Sequence, residues 1–241
     1  MRHGVEIEEW AFWSPESRAP AEWLAHWRRA DARPAEAQVP ADAIPPAHRR
    51  RMSTLSKLAV QCALEVSRRA RPDFMVFCSQ HGELVRTQEL LRNIVAGEEL
   101  SPAAFSQSVH NAGAGLYSIV ARTQAPATSL ASGPSTFAYG WIEAEGYLLE
   151  NPGRRVLLVC CEDPLPEVYR AFTSHVQCTY AVALMLRLAE RGGLALALTS
   201  CDEEDDLLPL APCFMAWWLS TAPTLSLTAG RERWVWSRDG A

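Results

Sequence analysis

The sequence is almost without lysine, and several other common signals are absent from it. Of its 23 basic residues only Lys57 is a lysine, and 28 acidic residues leave a formal net charge of -5. Proteins that bind nucleic acid are usually basic overall, so this balance argues against nucleic acid as a partner. The longest apolar stretch is interrupted by Arg187 and Glu190, and it falls short of the roughly 18 residues that a membrane-spanning helix needs.

Signals for secretion and for metal binding are also missing. Residues 1–9 contain no apolar segment of the kind that a secretory signal carries, and we expect a cytoplasmic protein. The seven cysteines are irregularly spaced apart from the adjacent Cys160 and Cys161, which is typical of buried free thiols in a reducing compartment. Cysteine and histidine do not occur at the spacing of a metal site, so we expect neither a metal nor another cofactor.

Helix and strand patterns alternate along the chain. Apolar residues recur at helical spacing from Ser53 to Ala70, with Ser53 as a plausible N-cap. Phe74–Cys78 and Arg155–Cys161 contain continuous apolar runs, which are typical of strands buried on both faces of a sheet. We therefore predict an α/β fold with a mixed sheet, folded as one domain over residues 1–241 with its core at about 45–200. Further predicted segments are strands at Val5–Trp13, Ala127–Leu130 and Trp234–Trp236 (the last at an edge), helices at Pro20–Arg29, Leu84–Val95, Asn111–Arg122 and Pro134–Leu149, apolar segments at Tyr180–Leu188 and Leu194–Leu198, and an irregular stretch at Leu207–Thr228.

The predicted helix Pro134–Leu149 is apolar around its whole circumference. A helix of this kind is buried on every side. One face of a sheet covers only one side of a helix. The sequence therefore predicts a second covering surface, supplied by this chain or by a partner.

Two segments carry a specific resemblance to a known family. The first reads Ser-Val-His-Asn-Ala-Gly-Ala-Gly over residues 108–115, and the second reads Ala-Thr-Ser-Leu-Ala-Ser-Gly over residues 127–133. Together they resemble the N-terminal half of the β-ketoacyl synthases, enzymes of the thiolase fold. In that family a strand ends in Thr-Ala-Cys-Ser-Ser-Gly, and the N-terminus of the following buried helix lowers the pKa of the cysteine thiol. The resemblance implies a thiolase-like, half-length ketosynthase fold with a buried central helix.

The resemblance also implies that the condensation chemistry is missing. It places Leu130 at the position of the nucleophilic cysteine, and a leucine cannot carry a thioester. The two catalytic histidines of the family lie in its C-terminal half, for which this sequence shows no matching motif. Such a chain resembles the chain-length-factor-type subunits of aryl polyene and related polyketide systems. These pair with a full-length β-ketoacyl synthase as a heterodimer and shape its acyl tunnel in polyketide or fatty-acid-like synthesis.

The resemblance assigns roles to further residues. An acyl carrier protein is acidic, so exposed arginines would complement its charge. The expected sites are the turn at the start of the buried helix (Ser129, Ser132, Gly133), the partner interface or tunnel (Ser108, His110, Asn111, Phe137, Trp141) and a docking surface for an acyl carrier protein (Arg68, Arg69, Arg71).

Two other functions are compatible with the same residues. A stand-alone acyl-transfer or thioester-hydrolysing enzyme would use Ser129, Ser132 or a cysteine, although the sequence places no histidine or acid to activate a serine. The other alternative is a homodimeric acyl-binding module. His110 is expected to be a structural histidine, and His81 follows a buried strand at the carboxyl edge of the sheet, where α/β proteins bind ligands.

Overall fold

A computed structural model of the chain describes residues 4–29, 31–35, 38–173 and 175–238. Its centre is a mixed eight-stranded sheet with the strand order β3-β2-β4-β5-β1-β6-β8-β7, which confirms the predicted α/β class. The parallel pairs are β2 with β3 and β2 with β4, and the remaining neighbours are antiparallel. The strands are β1 (Val5–Trp13), β2 (Phe74–Cys78), β3 (Ala127–Leu130), β4 (Val156–Glu162), β5 (Tyr180–Leu188), β6 (Leu194–Ser200), β7 (Thr224–Ala229) and β8 (Glu232–Arg238). The helices are α1 (Pro20–Trp27), α2 (Pro46–Arg49), α3 (Thr54–Val66), α4 (Leu84–Ala96), α5 (Pro102–Ser106), α6 (Ala112–Ala121), α7 (Thr136–Glu150) and α8 (Leu210–Trp218), with a 3₁₀ turn at Glu167–Phe172.

Helices cover both faces of the sheet. On one face α3 and α6 enclose a core with Phe77 and Leu157, and on the other face α7 and α8 enclose a core with Val76 and Leu158. Successive residues of β2 and β4 alternate between the two cores, which is why these strands read as continuous apolar runs. Buried residues also come from outside the expected 45–200 span, Trp23 among them. In the part of the chain described here, every helix is too short or too polar to cross a membrane.

The predicted helices and strands occur with small changes at their ends. Ser53 caps α3 as predicted, because its hydroxyl accepts a hydrogen bond from the Ser56 N–H at 2.9 Å. The helix ends at Val66 and not at Ala70, and α7 begins at Thr136 and not at Pro134. The short helices α2 and α5 were not predicted.

The C-terminal region is more regular than predicted. The stretch Leu207–Thr228, expected to be irregular, contains α8 and β7. Pro209 is the N-cap of α8 and Pro212 lies in its first turn, where a missing N–H costs no helical hydrogen bond. The segment Trp234–Trp236, expected at a sheet edge, is internal, because β8 pairs with β6 on one side and with β7 on the other.

The second side of α7 is covered by this chain itself. Phe137 and Trp141 both pack against Phe214 of α8, with ring centroids 5.2 Å apart in each pair. The prediction that α7 is buried on every side is wrong for its C-terminal half, where Ile142 is 41% and Leu149 is 49% exposed. The reason is length, since α8 has nine residues and α7 has fifteen.

Two contacts fix the position of α7. Gly140 lies so close to β2 that a Cβ at this position would overlap the Sγ of Cys78. Ser135 precedes the helix and is buried; its hydroxyl lies 2.9 Å from the Ala229 carbonyl oxygen and accepts a hydrogen bond from the Trp234 indole N–H at 3.1 Å. The start of α7 is therefore tied to the hairpin formed by β7 and β8.

Candidate functional site

The segment that resembles a nucleophile turn leads from β3 into α7. Leu130 is the last residue of β3 and lies beside Cys78 of β2 in the sheet. Its side chain is half-buried and packs against the core around α7. A leucine side chain has no atom that can attack a thioester, so the position carries no nucleophilic chemistry.

The turn itself is held by hydrogen bonds between its own residues. The Thr136 hydroxyl donates to the Gly133 carbonyl oxygen at 2.6 Å and accepts a hydrogen bond from the Ser132 N–H at 2.9 Å. Gly133 has a φ of 53°, a left-handed conformation that glycine adopts without strain. Within the described residues, the hydroxyls of Ser129 and Ser132 bond to no histidine or carboxylate, so neither serine is activated as a nucleophile.

The segment of residues 108–111 is near the surface between α5 and α6. The His110 Nε2 lies 2.7 Å from the Ser79 carbonyl oxygen, which makes this histidine a satisfied structural residue. The Ser108 hydroxyl donates to the Phe105 carbonyl oxygen at 2.8 Å. Asn111 is exposed at the N-cap position of α6, and its side chain makes no capping bond there.

The structure places the two aromatic residues that were assigned to an interface or tunnel inside the chain. Phe137 and Trp141 are 2% and 0% exposed, and both pack on α8. The apolar side chains that α7 presents at the surface are Ile142 and Leu149. Phe137 and Trp141 can therefore influence a partner only indirectly, by positioning α7.

A surface on α4 and α5 was missed by the sequence reasoning. Only Leu90 of α4 is buried, although the helix carries the adjacent apolar pairs Leu90–Leu91 and Ile94–Val95. Such pairs place apolar residues on two sides of a helix, which is the signal that would have revealed the surface. The exposed apolar residues in and next to these two helices, which we call the α4–α5 face, are between 38% and 88% exposed; they are Leu91, Ile94, Val95, Leu100, Phe105 and Val109.

A cavity opens at the carboxyl ends of β2 and β4, beside the start of α7. Its free volume is about 50 Å³. His81 lines this cavity, as its place after β2 predicted, and His175 from the segment before β5 lines it too. The Nε2 atoms of both rings are buried without a hydrogen-bond partner in the described part of the chain. Leu130 is not part of the lining.

The carboxyl group of Glu162 lies at the same cavity, at the end of β4. It accepts hydrogen bonds from the Ser79 hydroxyl at 3.1 Å and from the Gln80 N–H, which ties the end of β2 to the end of β4. Removal from water raises the pKa of Glu162 to about 8, so the group is largely protonated at neutral pH.

Burial also favours the neutral form of a histidine and two cysteines in the cavity lining. Burial, and then the neighbouring His175, lower the pKa of His81, which favours the neutral ring. Burial raises the pKa of the Cys160 and Cys178 thiols well above their ordinary value. A thiol attacks as the thiolate, so neither buried cysteine is a reactive nucleophile.

The three arginines predicted as a docking surface lie together at the opposite end of the sheet. Arg68, Arg69 and Arg71 follow α3 and line a surface groove with Tyr117. Arg69 forms an ion pair with Glu9 at 2.7 Å. For Arg68 and Arg71 the described residues provide no carboxylate partner within ion-pair distance.

Comparison with known proteins then decides the family. Residues 23–237 match the model of the β-ketoacyl synthase N-terminal domain. The chain belongs to this ketosynthase family. No curated protein matches this ketosynthase-like domain by sequence.

Solved structures agree with this assignment. A chain from the complex of the ketosynthase ApeO with its chain length factor ApeC, from Xenorhabdus doucetiae, is 30% identical with a TM-score of 0.86, and the match covers 98% of this chain and 100% of that chain. The ishigamide ketosynthase/chain length factor is 16% identical with a TM-score of 0.63, covering 84% of this chain and 69% of that chain. A β-ketoacyl synthase from Burkholderia phymatum STM815 is 12% identical with a TM-score of 0.62, covering 83% and 65%. The two distant structures establish the thiolase-like fold.

Proposed function

We propose that this ketosynthase-like domain is a non-catalytic subunit of the chain-length-factor type. It pairs with an active β-ketoacyl synthase and shapes the acyl tunnel of that enzyme in polyene, polyketide or fatty-acid-like synthesis. The observation that carries the proposal is Leu130, which ends β3 at the strand-to-helix turn where the family has its nucleophile. The similar chain from Xenorhabdus doucetiae supports the proposal, because it has the same extent and comes from a complex of a ketosynthase with its chain length factor.

The surface of the chain is consistent with such a partner. On the α4–α5 face, Val95 is 88% and Phe105 is 66% exposed. Exposed apolar side chains that are grouped in this way mark protein interfaces. Strand β3 has β2 on one side and a free edge on the other within the described residues, and Ile119 of the neighbouring α6 is 59% exposed. A partner that covers an edge strand also satisfies its free backbone groups.

The same face suggests how a subunit without chemistry influences the product. Apolar side chains that contact the partner next to its bound acyl chain form part of the tunnel wall. Phe105 is the largest exposed side chain of the face and is held next to Ser108, whose hydroxyl bonds to its carbonyl oxygen. A larger side chain at Phe105 leaves less room for the acyl chain in the tunnel, and a smaller side chain leaves more.

We further propose Arg68, Arg69 and Arg71 as the docking surface for the acyl carrier protein. Exposed arginines attract an acidic partner by charge complementarity, mainly through the association rate. Reversing charge at Arg68 and Arg71 should weaken carrier-protein binding to the assembled complex. The control is the same double reversal at Arg49 and Arg50, at the other end of α3. Equal effects of the two double variants would contradict this docking site.

The pairing is tested by native mass spectrometry after co-expression with the ketosynthase encoded nearest to this chain. A 1:1 or 2:2 complex supports the proposal. A homodimer that ignores the ketosynthase would support the acyl-binding module instead. Stoichiometric labelling of Ser129 or Ser132 by a thioester probe would support a stand-alone enzyme.

Activity provides a second test of the same proposal. The purified chain should show no condensation of a malonyl-carrier substrate, and Leu130→Cys should not create it, because the histidine pair of the family has no counterpart here. Condensation by the chain alone would overturn the proposal.

A further inference from the structure

The cavity at the ends of β2 and β4 is closed by two segments that meet in a seam. Residues 175–178 precede β5 and line the cavity from one side, and Asp206 and residues 208–210, which lead into α8, line it from the other. Across this seam the Val176 N–H donates to the Leu207 carbonyl oxygen at 2.8 Å. The His175 Nε2 lies 3.7 Å from the Asp205 carboxylate, which is too long for a hydrogen bond.

The second segment makes more hydrogen bonds on its far side. The Thr228 hydroxyl donates to the Glu204 carbonyl oxygen at 2.7 Å, and the Asp206 carboxylate accepts the Thr228 N–H at 2.7 Å. The Cys201 N–H donates to the Arg231 carbonyl oxygen at 2.9 Å. Thr228 and Arg231 belong to the β7–β8 hairpin, so residues 201–209 make more hydrogen bonds to the hairpin than to residues 175–178.

We propose that this seam is a gate, which opens while residues 201–209 stay attached to the hairpin and which admits small uncharged molecules to the cavity. Local opening needs far less free energy than global unfolding where few polar links must break. Behind the seam the buried Nε2 atoms of His81 and His175 offer hydrogen bonds to whatever enters. The carboxylates of Asp205, which faces His175 across the seam, and Asp206, which lines the cavity, disfavour the entry of anions.

Native thiols of the protein measure the opening directly. Cys160 and Cys178 line the cavity, whereas Cys62 is buried in the core on the opposite face of the sheet. Burial raises the pKa of Cys62 to about 12 and raises the pKa of the other two thiols as well, so each thiol reacts only when an opening exposes it to water.

The experiment is alkylation of the full chain under native conditions, followed by peptide mass spectrometry. Iodoacetamide should label Cys160 and Cys178 at least about tenfold faster than Cys62, because the gate opens without global unfolding. Iodoacetate has nearly the same size and carries a negative charge, so it should label the two cavity thiols more slowly than iodoacetamide. Equal rates for Cys178 and Cys62 would overturn the gate, because access would then require global unfolding.

A pair of matched variants locates the entrance. Asp205→Asn removes the charge that faces His175 across the seam, and Asp202→Asn removes an exposed charge from the same segment away from the seam. Asp205→Asn should raise the labelling rate of Cys178 by about threefold and leave that of Cys62 unchanged, as expected for a local opening. No acceleration in Asp205→Asn, or the same acceleration in Asp202→Asn, would overturn the seam as the entrance.

Discussion

Helices α7 and α4 are both rich in apolar residues, yet the described residues cover most of α7 and little of α4. Helix α7 buries Phe137 and Trp141 against α8, whereas α4 buries Leu90 and leaves Ile94 55% exposed. The elements that cover α7 come from the C-terminal region, which supplies a second layer within the chain. We therefore expect folding to depend on α7 and the proposed association with a ketosynthase to depend on α4, so that the two properties can be changed separately.

The largest effect on stability is expected for a substitution in the core of the covered helix α7. Trp141→Ala removes a side chain that is 0% exposed and leaves a cavity beside Phe214, which should cost about 3–5 kcal/mol of unfolding free energy. Urea denaturation measures this loss. Ile142→Ala is the control on the same helix, and at 41% exposure it should cost about 1 kcal/mol or less. Equal costs would mean that α7 is not covered as described.

For the exposed helix α4 we expect a small effect on stability and a large effect on complex formation. Ile94→Asp should change the unfolding free energy by about 0.5 kcal/mol or less, because the side chain is 55% exposed, and should weaken the ketosynthase complex by at least about tenfold. Titration monitored by native mass spectrometry measures the affinity. The control is Val168→Asp in the 3₁₀ turn, where Val168 is 59% exposed. An equal loss of affinity in the control would remove the distinction between the α4–α5 face and the rest of the surface.

A moderate effect is expected at the start of α7. Ser135→Ala leaves the buried Trp234 N–H without its acceptor, which should cost about 1–2 kcal/mol. Ser118→Ala is the control, because the Ser118 hydroxyl bonds only to the Gly115 carbonyl oxygen within its own helix. Thermal or urea unfolding that cannot distinguish the two variants would show that the tie to the hairpin adds no stability.

A change that depends on pH is expected at Glu162, which holds the turn that leads into α4. Its pKa is raised from 4.5 to about 8, so between these values the folded chain keeps a proton that the unfolded chain has released. Stability should therefore fall as the pH rises from about 4.5 toward about 8. Glu162→Gln cannot ionise and should show a flatter dependence in urea unfolding at several pH values. The same slope in both proteins would contradict the raised pKa.

Much of the sheet and its first covering layer could be predicted from the sequence. Helix α3 repeats its apolar residues at helical spacing and starts at a capping serine, Ser53. Strands β2 and β4 are apolar without interruption because both of their faces are buried. The position of Leu130 at the end of β3 also followed from the sequence, because the turn after it keeps the family's pattern.

The C-terminal layer and the cavity could not be predicted in the same way. Prolines at 209 and 212 suggested irregular structure, although they stand at the start of α8, where helices accept them. Strand β8 is internal because it pairs with strands on both sides, and a local sequence pattern does not predict such pairing. His175 and Asp205 come from separate loops, so only the folded chain brings them together.

The position of β1 in the sheet has a consequence for how the protein is made. This strand is synthesised long before its antiparallel partner β5, with which it pairs from Val5 opposite Leu188 to Trp13 opposite Ala181. Its apolar residues therefore stay unpaired until β5 has left the ribosome. Such long-range pairing slows folding, and an unpaired apolar strand aggregates readily while it waits. The yield of native protein should accordingly depend on the rate and temperature of synthesis more than on the stability of the finished sheet.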